Sequence, residues 1–108
     1  MSIHGPWEES KFDWDQHNIG HVAEHRVTPE EVEQVLLNNP VFIEMRIDRR
    51  TGEERILELG HTNLGRVLFV AWTPRGALMR PVTAYPADRK IRSAYMQKRK
   101  GNDQQKKT

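Results

Sequence analysis

Residues 41–86 carry four apolar runs, "VFIEMRI", "RILELG", "VLFVAW" and "ALMRPVTAY", separated by "DRRTGEE", "HTNLGR" and "TPRG". The separators are short and turn-forming, with Gly52, Asn63 and Gly65 at natural turn positions. Strands joined this closely pair antiparallel, because a parallel pair needs a crossover of about a dozen residues or more. The stretch therefore reads as an antiparallel meander around which the rest of the chain must pack. Alternation in the first run puts Val41, Ile43, Met45 and Ile47 on one face and Phe42, Glu44 and Arg46 on the other. "VLFVAW" is the most continuously apolar run and is expected at the centre of the sheet. Pro81 lies inside the last run and has no N–H for a ladder, so that strand belongs at an edge or is bulged at Pro81. An exposed edge at "LMRPVTAY" would be one place for a partner to add a strand.

Helical patterns flank the meander. In "VTPEEVEQVLL", Thr28 is an N-cap, Pro29 occupies N1 and Glu31 occupies N3, a capping box with proline where its missing N–H costs nothing. Val32, Val35 and Leu36 form its buried stripe, and "NNP" ends it. Before it, Asp15 caps a shorter helix expected to end near Arg26, with Ile19, Val22 and Ala23 as a narrow apolar face. "FDWD" (residues 12–15) alternates as a short strand would. "ADRKIRSAYMQKRK" reads as a C-terminal helix with Ile91, Ala94 and Tyr95 on one face. The expected architecture is α+β: a curved antiparallel sheet of about four to five strands, two N-terminal helices and one C-terminal helix, with the helices on one face. Residues 1–11 read as a flexible arm, 12–98 as a single domain and 99–108 as a disordered basic tail.

A chain of 108 residues that is 36% hydrophobic and 30% charged suits one small soluble domain. It has no apolar run long enough to span a membrane and no signal-peptide pattern at its start. Without cysteine it has no disulfides, thiolate metal ligands or thiol catalysis. A cytoplasmic location is expected. Charge is polarised: residues 89–108 hold eight Lys/Arg against one acid, a net +7, while the remainder holds nine against fourteen. That imbalance points to an anionic or acidic partner near the C-terminus, or to a solvated tail.

"HNIGHVAEHR" holds three of the five histidines, His17, His21 and His25. On a helical wheel they border the apolar face, where a helix meets a sheet. His17 and His25 would lie about 12 Å apart along the axis, too far to share one ion. An acid–base role needs only a ring titrating near neutral pH, and a packing role needs only a backbone partner. P-loop, G-x-S-x-G and Rossmann fingerprints are all absent.

"FDWDQHNIGHVAEHRVTPEEVEQVL", "RILELGHTNLGRVLFVAWTPRGALMRPVTA" and the basic helix ending at Tyr95 together resemble the BrnT-like toxins, ribonucleases of bacterial type II toxin–antitoxin pairs with a RelE-like fold. The resemblance covers about residues 12–96. It rests on the spacing of Trp14, Asp15, Asn18, His21, His25 and the Thr28–Glu31 cap, with Gly60, Gly65, Arg66 and Arg80 in the sheet region. It implies RNA as substrate, no metal or other cofactor, and a small cognate antitoxin, itself DNA-binding, that covers the active face. The family's "HG" is His25–Arg26 here, and its last strand, R-[IV]-I-[ST]-A-R, reads "RPVTAY", with Tyr85 in place of the second arginine.

Metal-free RNA cleavage needs a base, an acid and a cation. His21 or His25 would move the protons, and Arg80 would hold the scissile phosphate. Arg55, Arg89, Lys90 and Arg92 would bind flanking backbone, and Trp72 or Tyr85 would stack on a base. Each has a plainer reading: Arg80 an ion-pair partner, Arg55 an exposed strand residue, Trp72 core, and the basic helix a solvated face. A non-catalytic RNA- or protein-binding module on the same fold is the alternative function.

Overall fold

Asp15 and Thr28 each start a helix by accepting from free backbone N–H groups. The Asp15 carboxylate accepts from His17 and Asn18, and the Asn18 side chain accepts from the Asp15 N–H, opening α1 (Gln16–Ala23). Thr28 and Glu31 do the same reciprocally for α2 (Pro29–Leu37), with Pro29 in the first turn as expected. The computed structural model describes residues 10–106, with side chains through residue 100. Most of the arm expected over residues 1–11, and the last two residues of the expected tail, lie outside the described residues.

The meander follows as β1 (Val41–Ile47), β2 (Glu54–His61), β3 (Val67–Arg75) and β4 (Leu78–Pro86), and α3 (Arg89–Lys106) closes the described chain. The sheet order is β1-β2-β3-β4, antiparallel throughout. This α+β architecture has the expected helices and strand number. α3 runs to Lys106, where a tail was expected from residue 99; the Lys, Arg and Gln of that run are good helix formers.

Four local expectations are corrected. α1 ends at Ala23 instead of near Arg26, because Arg26 adopts φ 59° and the Val27 N–H returns to the Val22 carbonyl. The strand expected over residues 12–15 is reduced to one parallel bridge, Phe12 to Met79. The turn expected at "TPRG" moves on: β3 continues through Pro74 and Arg75, which pair with Met79 and Leu78, leaving Gly76 (φ 57°) and Ala77 as the turn. Finally, the helices occupy both faces of the sheet.

Val22, Val27, Val32, Val35 and Leu36 pack with Leu68, Val70 and Ala84 under α1 and α2. Tyr95 of α3, with Ala87 and Ile91, packs on Leu59, Val67 and Phe69. Neighbours on β3 thus face opposite sides, as the pleat requires. A strand covered on both faces needs a continuous apolar run, which is what "VLFVAW" supplies. Gly60 lets α2 approach: a Cβ there would lie 2.9 Å from a Val35 methyl and 3.2 Å from the Pro40 Cβ. Arg66 ties the β2–β3 turn to the α1–α2 joint, donating to the Arg26 carbonyl at 2.8 Å and to both Glu31 carboxylate oxygens at 3.1 Å.

The edges differ. β4 is an edge strand with Val82 as the extra residue opposite Ala71 and Trp72, so both features expected of Pro81 are present. β1 has no buried face: six of its seven residues are exposed and Glu44 is only half-buried, with a bulge between Phe42 and Glu44. The regular alternation expected there breaks at that bulge. α1 packs chiefly on β4, and α2 on β2 and β3.

Candidate active site

α1 lies along the outer edge of β4 and is bound to it by polar groups. Asn18 is 1% exposed, and its amide donates to the Asp13 and Pro81 carbonyls, each at 2.9 Å. The His21 Nδ1 lies 3.3 Å from the Val82 carbonyl. Arg80 is 14% exposed and pairs with Asp15 at 3.0 Å and Asp13 at 3.5 Å. Asp15 therefore links the helix that carries the histidines to the strand that carries Arg80. The Asn18 backbone N–H holds the Asp15 carboxyl below the usual carboxylate range, against an opposing cost of burial and with further help from Arg80.

Register fixes the rest. Thr73 sits opposite Arg80 and Ile56 opposite Trp72, so Arg55, Thr73 and Arg80 form one row across β2, β3 and β4. These three, with His17 and His21 at the rim, line a cavity of about 360 Å³. The β1–β2 turn contributes Asp48, Arg50 and Glu53, and β3 adds Arg75. Each inner arginine has a carboxylate: Arg55 meets Asp48 at 3.1 Å, and Arg75 meets Glu53 at 2.9 Å. The Arg50 and Thr51 backbone N–H groups, with Arg55 adding to them, hold the Asp48 carboxyl below the usual carboxylate range. The Arg55 Nε is buried without an acceptor.

The residues picked out by sequence are therefore only partly assembled. His21, Arg55 and Arg80 share the cavity. His25 lies beyond the end of α1, and its ring centre is 6.0 Å from that of Tyr85. Tyr85 packs 5.4 Å from Phe69 and lines an adjoining cavity of about 350 Å³ together with Arg55. Trp72 is not brought to these cavities. It packs against the core beneath α1 and α2 and donates its indole N–H to Glu58 at 2.7 Å, because alternation sends it to the other sheet face from Thr73. Arg89 and Arg92 line a separate cavity of about 710 Å³ with Gly65 and Arg99, and Lys90 is exposed on the same helix. Sequence reasoning places His17 in the histidine stripe but not among the proton carriers; its ring lies 4.9 Å from that of His21. Its signal was the i, i+4 spacing once the helix was known to stop before His25. Thr73 gave no signal, since only register places it beside Arg80.

Outside this region, His61 and Tyr95 share a 2.8 Å contact between Nδ1 and the phenol oxygen. Burial, aided by Arg99, pushes the His61 imidazole down, and burial pushes the Tyr95 phenol up. Among the described residues no three His, Asp or Glu side chains converge as a metal-binding cluster, and no helix is long and apolar enough to cross a membrane.

None of the curated proteins compared with the chain matches it. The family model described as the ribonuclease toxin, BrnT, of type II toxin–antitoxin systems matches residues 14–90, from the "WD" before α1 to the start of α3. The match spans both capping boxes, the whole sheet and the cavity beside α1, well over half the sequence, and so the chain belongs to the BrnT family of ribonuclease toxins.

Proposed function

We propose that this toxin is a metal-independent endoribonuclease that cleaves RNA by histidine and arginine chemistry in the cavity between α1 and β4. The observation carrying this reading is that His17 and His21 line the same cavity as Arg55 and Arg80. One imidazole takes the proton from a ribose 2′-OH, and the 2′-oxygen attacks the adjacent phosphorus. The 5′-oxygen leaves with a proton from a second imidazole. The products are a 2′,3′-cyclic phosphate and a 5′-hydroxyl, and no bond change in the step requires a metal. His21 is one proton carrier, and His17 or His25 the other. General acid–base help of this kind contributes about 10²–10⁴-fold.

Arg80 neutralises charge on the phosphorane. To do so it exchanges its longer contact, to Asp13, for a phosphate oxygen, while Asp15 keeps the guanidinium in place. Arg55 and Arg75 bind the neighbouring backbone. Tyr85, backed by Phe69 and flanked by His25, stacks on an unpaired base, a role that needs no charge and so suits a tyrosine where the family carries arginine. The exposed cations of α3, Arg89, Lys90 and Arg92, hold RNA farther from the cut. The cognate antitoxin of the pair shields this cavity and supplies the DNA-binding half of the complex, and the toxin acts in the cytoplasm.

One observation favours a second reading, a non-catalytic RNA-binding module: Arg80 already carries two carboxylates. End-group analysis separates the two. Incubation of the purified chain with RNA and EDTA yields cyclic-phosphate ends, and a substrate with a single 2′-deoxyribose at the cleavage site resists. Salt-sensitive binding without any new ends would establish the module instead.

A further inference from the structure

The two edges of the sheet are finished differently. The outer backbone of β4 is occupied: Met79 donates to the Lys11 carbonyl and accepts from the Asp13 N–H, and the Pro81 and Val82 carbonyls face Asn18 and His21. The strand addition expected at "LMRPVTAY" therefore meets an edge already in use. β1 is the other edge, and Val41, Phe42, Ile43, Met45 and Ile47 are half of all the exposed large hydrophobic residues described. A bare apolar edge is a template for another strand.

The sequence of that edge selects its occupant. Read antiparallel against itself about Met45, the run Ile43-Glu44-Met45-Arg46-Ile47 is self-complementary. Met45 meets Met45 of the second copy, each Glu44 meets an Arg46, and each Ile43 meets an Ile47. Residues directly opposite in an antiparallel pair share a face. Glu44 and Arg46 both line the open-face cavity that holds Tyr85, so two Glu–Arg pairs form on that side, and Met45 and Ile47 join the apolar side. The β-bulge falls at Ile43, the end residue of this run, while Glu44 to Ile47, which carry the axis and both charge pairs, keep regular pairing with Leu57 to Glu54. Within one chain Glu44 and Arg46 already contact each other; across the axis the same charges satisfy a second copy.

We propose that β1 is a homodimer interface: two copies pair antiparallel through β1 about a two-fold axis at Met45, joining two four-stranded sheets into one. An interface in which residue i meets j and j meets i is what a closed two-fold dimer requires. The axis stands perpendicular to the joined sheet, so both arginine-lined cavities open on the same side. This inference is independent of the nuclease reading.

Light scattering on the purified chain over a wide concentration range tests it, alongside charge variants on the exposed strand. The wild type dimerises. Glu44→Arg puts Arg opposite Arg, Arg46→Glu puts Glu opposite Glu, and each weakens the dimer by about tenfold or more. The doubly exchanged Glu44→Arg/Arg46→Glu chain dimerises again, and an equimolar mixture of the two single variants forms a mixed dimer. A wild type that stays monomeric at every concentration overturns the proposal, as does a dimer indifferent to either single exchange. So does a β1 whose backbone amides resist hydrogen exchange only after antitoxin is added, which would assign the edge to that protein.

Discussion

At β4 the outer backbone is closed by Lys11, Asp13, Asn18 and His21, whereas β1 on the opposite edge leaves Val41, Phe42, Ile43, Met45 and Ile47 exposed. The covered edge is polar and tightly bonded, with Asn18 and Arg80 almost out of water. The bare edge is apolar and has no buried residue. Closing the β4 edge and lining the cavity beside it are one operation here. The same groups that satisfy the β4 carbonyls hold two histidines over Arg80. The bare edge has no such polar closure and leaves its apolar side chains exposed.

Substitutions that strike the two edges separately should differ in kind. The largest effect is expected at Arg80→Ala, which lowers RNA cleavage by about 10²–10³-fold through loss of one preorganised cation; Ile47→Thr on β1 leaves the rate of the folded protein unchanged. Initial-rate measurements on both variants check this. Next is Asn18→Ala, which leaves the buried Pro81 carbonyl and the half-buried Asp13 carbonyl without a donor and costs about 2–3 kcal/mol in urea unfolding. The exposed Ile47→Thr costs within about 0.5 kcal/mol in the monomer.

Asp15 should show a smaller, pH-dependent effect. Its folded carboxyl titrates below its ordinary value of 3.8, so its contribution is fully present above that value and is lost as pH falls through the lower folded value. Asp15→Asn keeps the cap but removes the charge. Its melting temperature should fall below wild type at neutral pH and converge with it in strong acid. The smallest effect is a gain: Arg26→Gly relieves a left-handed backbone and raises stability by about 0.5 kcal/mol, measured by thermal unfolding.

What could be read from the sequence follows from which signals are local. The Thr28–Glu31 box, the turns around Gly52 and Gly65, and the proline bulge in β4 depend on neighbours along the chain, and all are present. The second helix-covered face was written in "VLFVAW", whose lack of alternation carries that meaning only when set beside α3. Trp72 and Thr73 stand side by side in sequence yet belong to opposite faces, one in the core and one in the cavity. Nothing in their types says which; register across two turns decides it. His17 and His25 looked equivalent on a continuous helix, and they separate only because Arg26 turns left-handed and the helix has stopped by then. Asp15 was legible as a cap but not as the partner of Arg80, which lies 65 residues away in the sequence.

The most direct test is cleavage of a single-stranded RNA by the purified toxin in excess EDTA, run beside His21→Ala and Arg80→Ala proteins whose circular dichroism matches wild type. The wild type should cut, and each substitution should slow cutting by about 10²-fold or more while the fold persists. Undiminished cleavage by both variants, or wild-type cleavage that disappears with the chelator, would contradict the assignment of the chemistry to the cavity between α1 and β4.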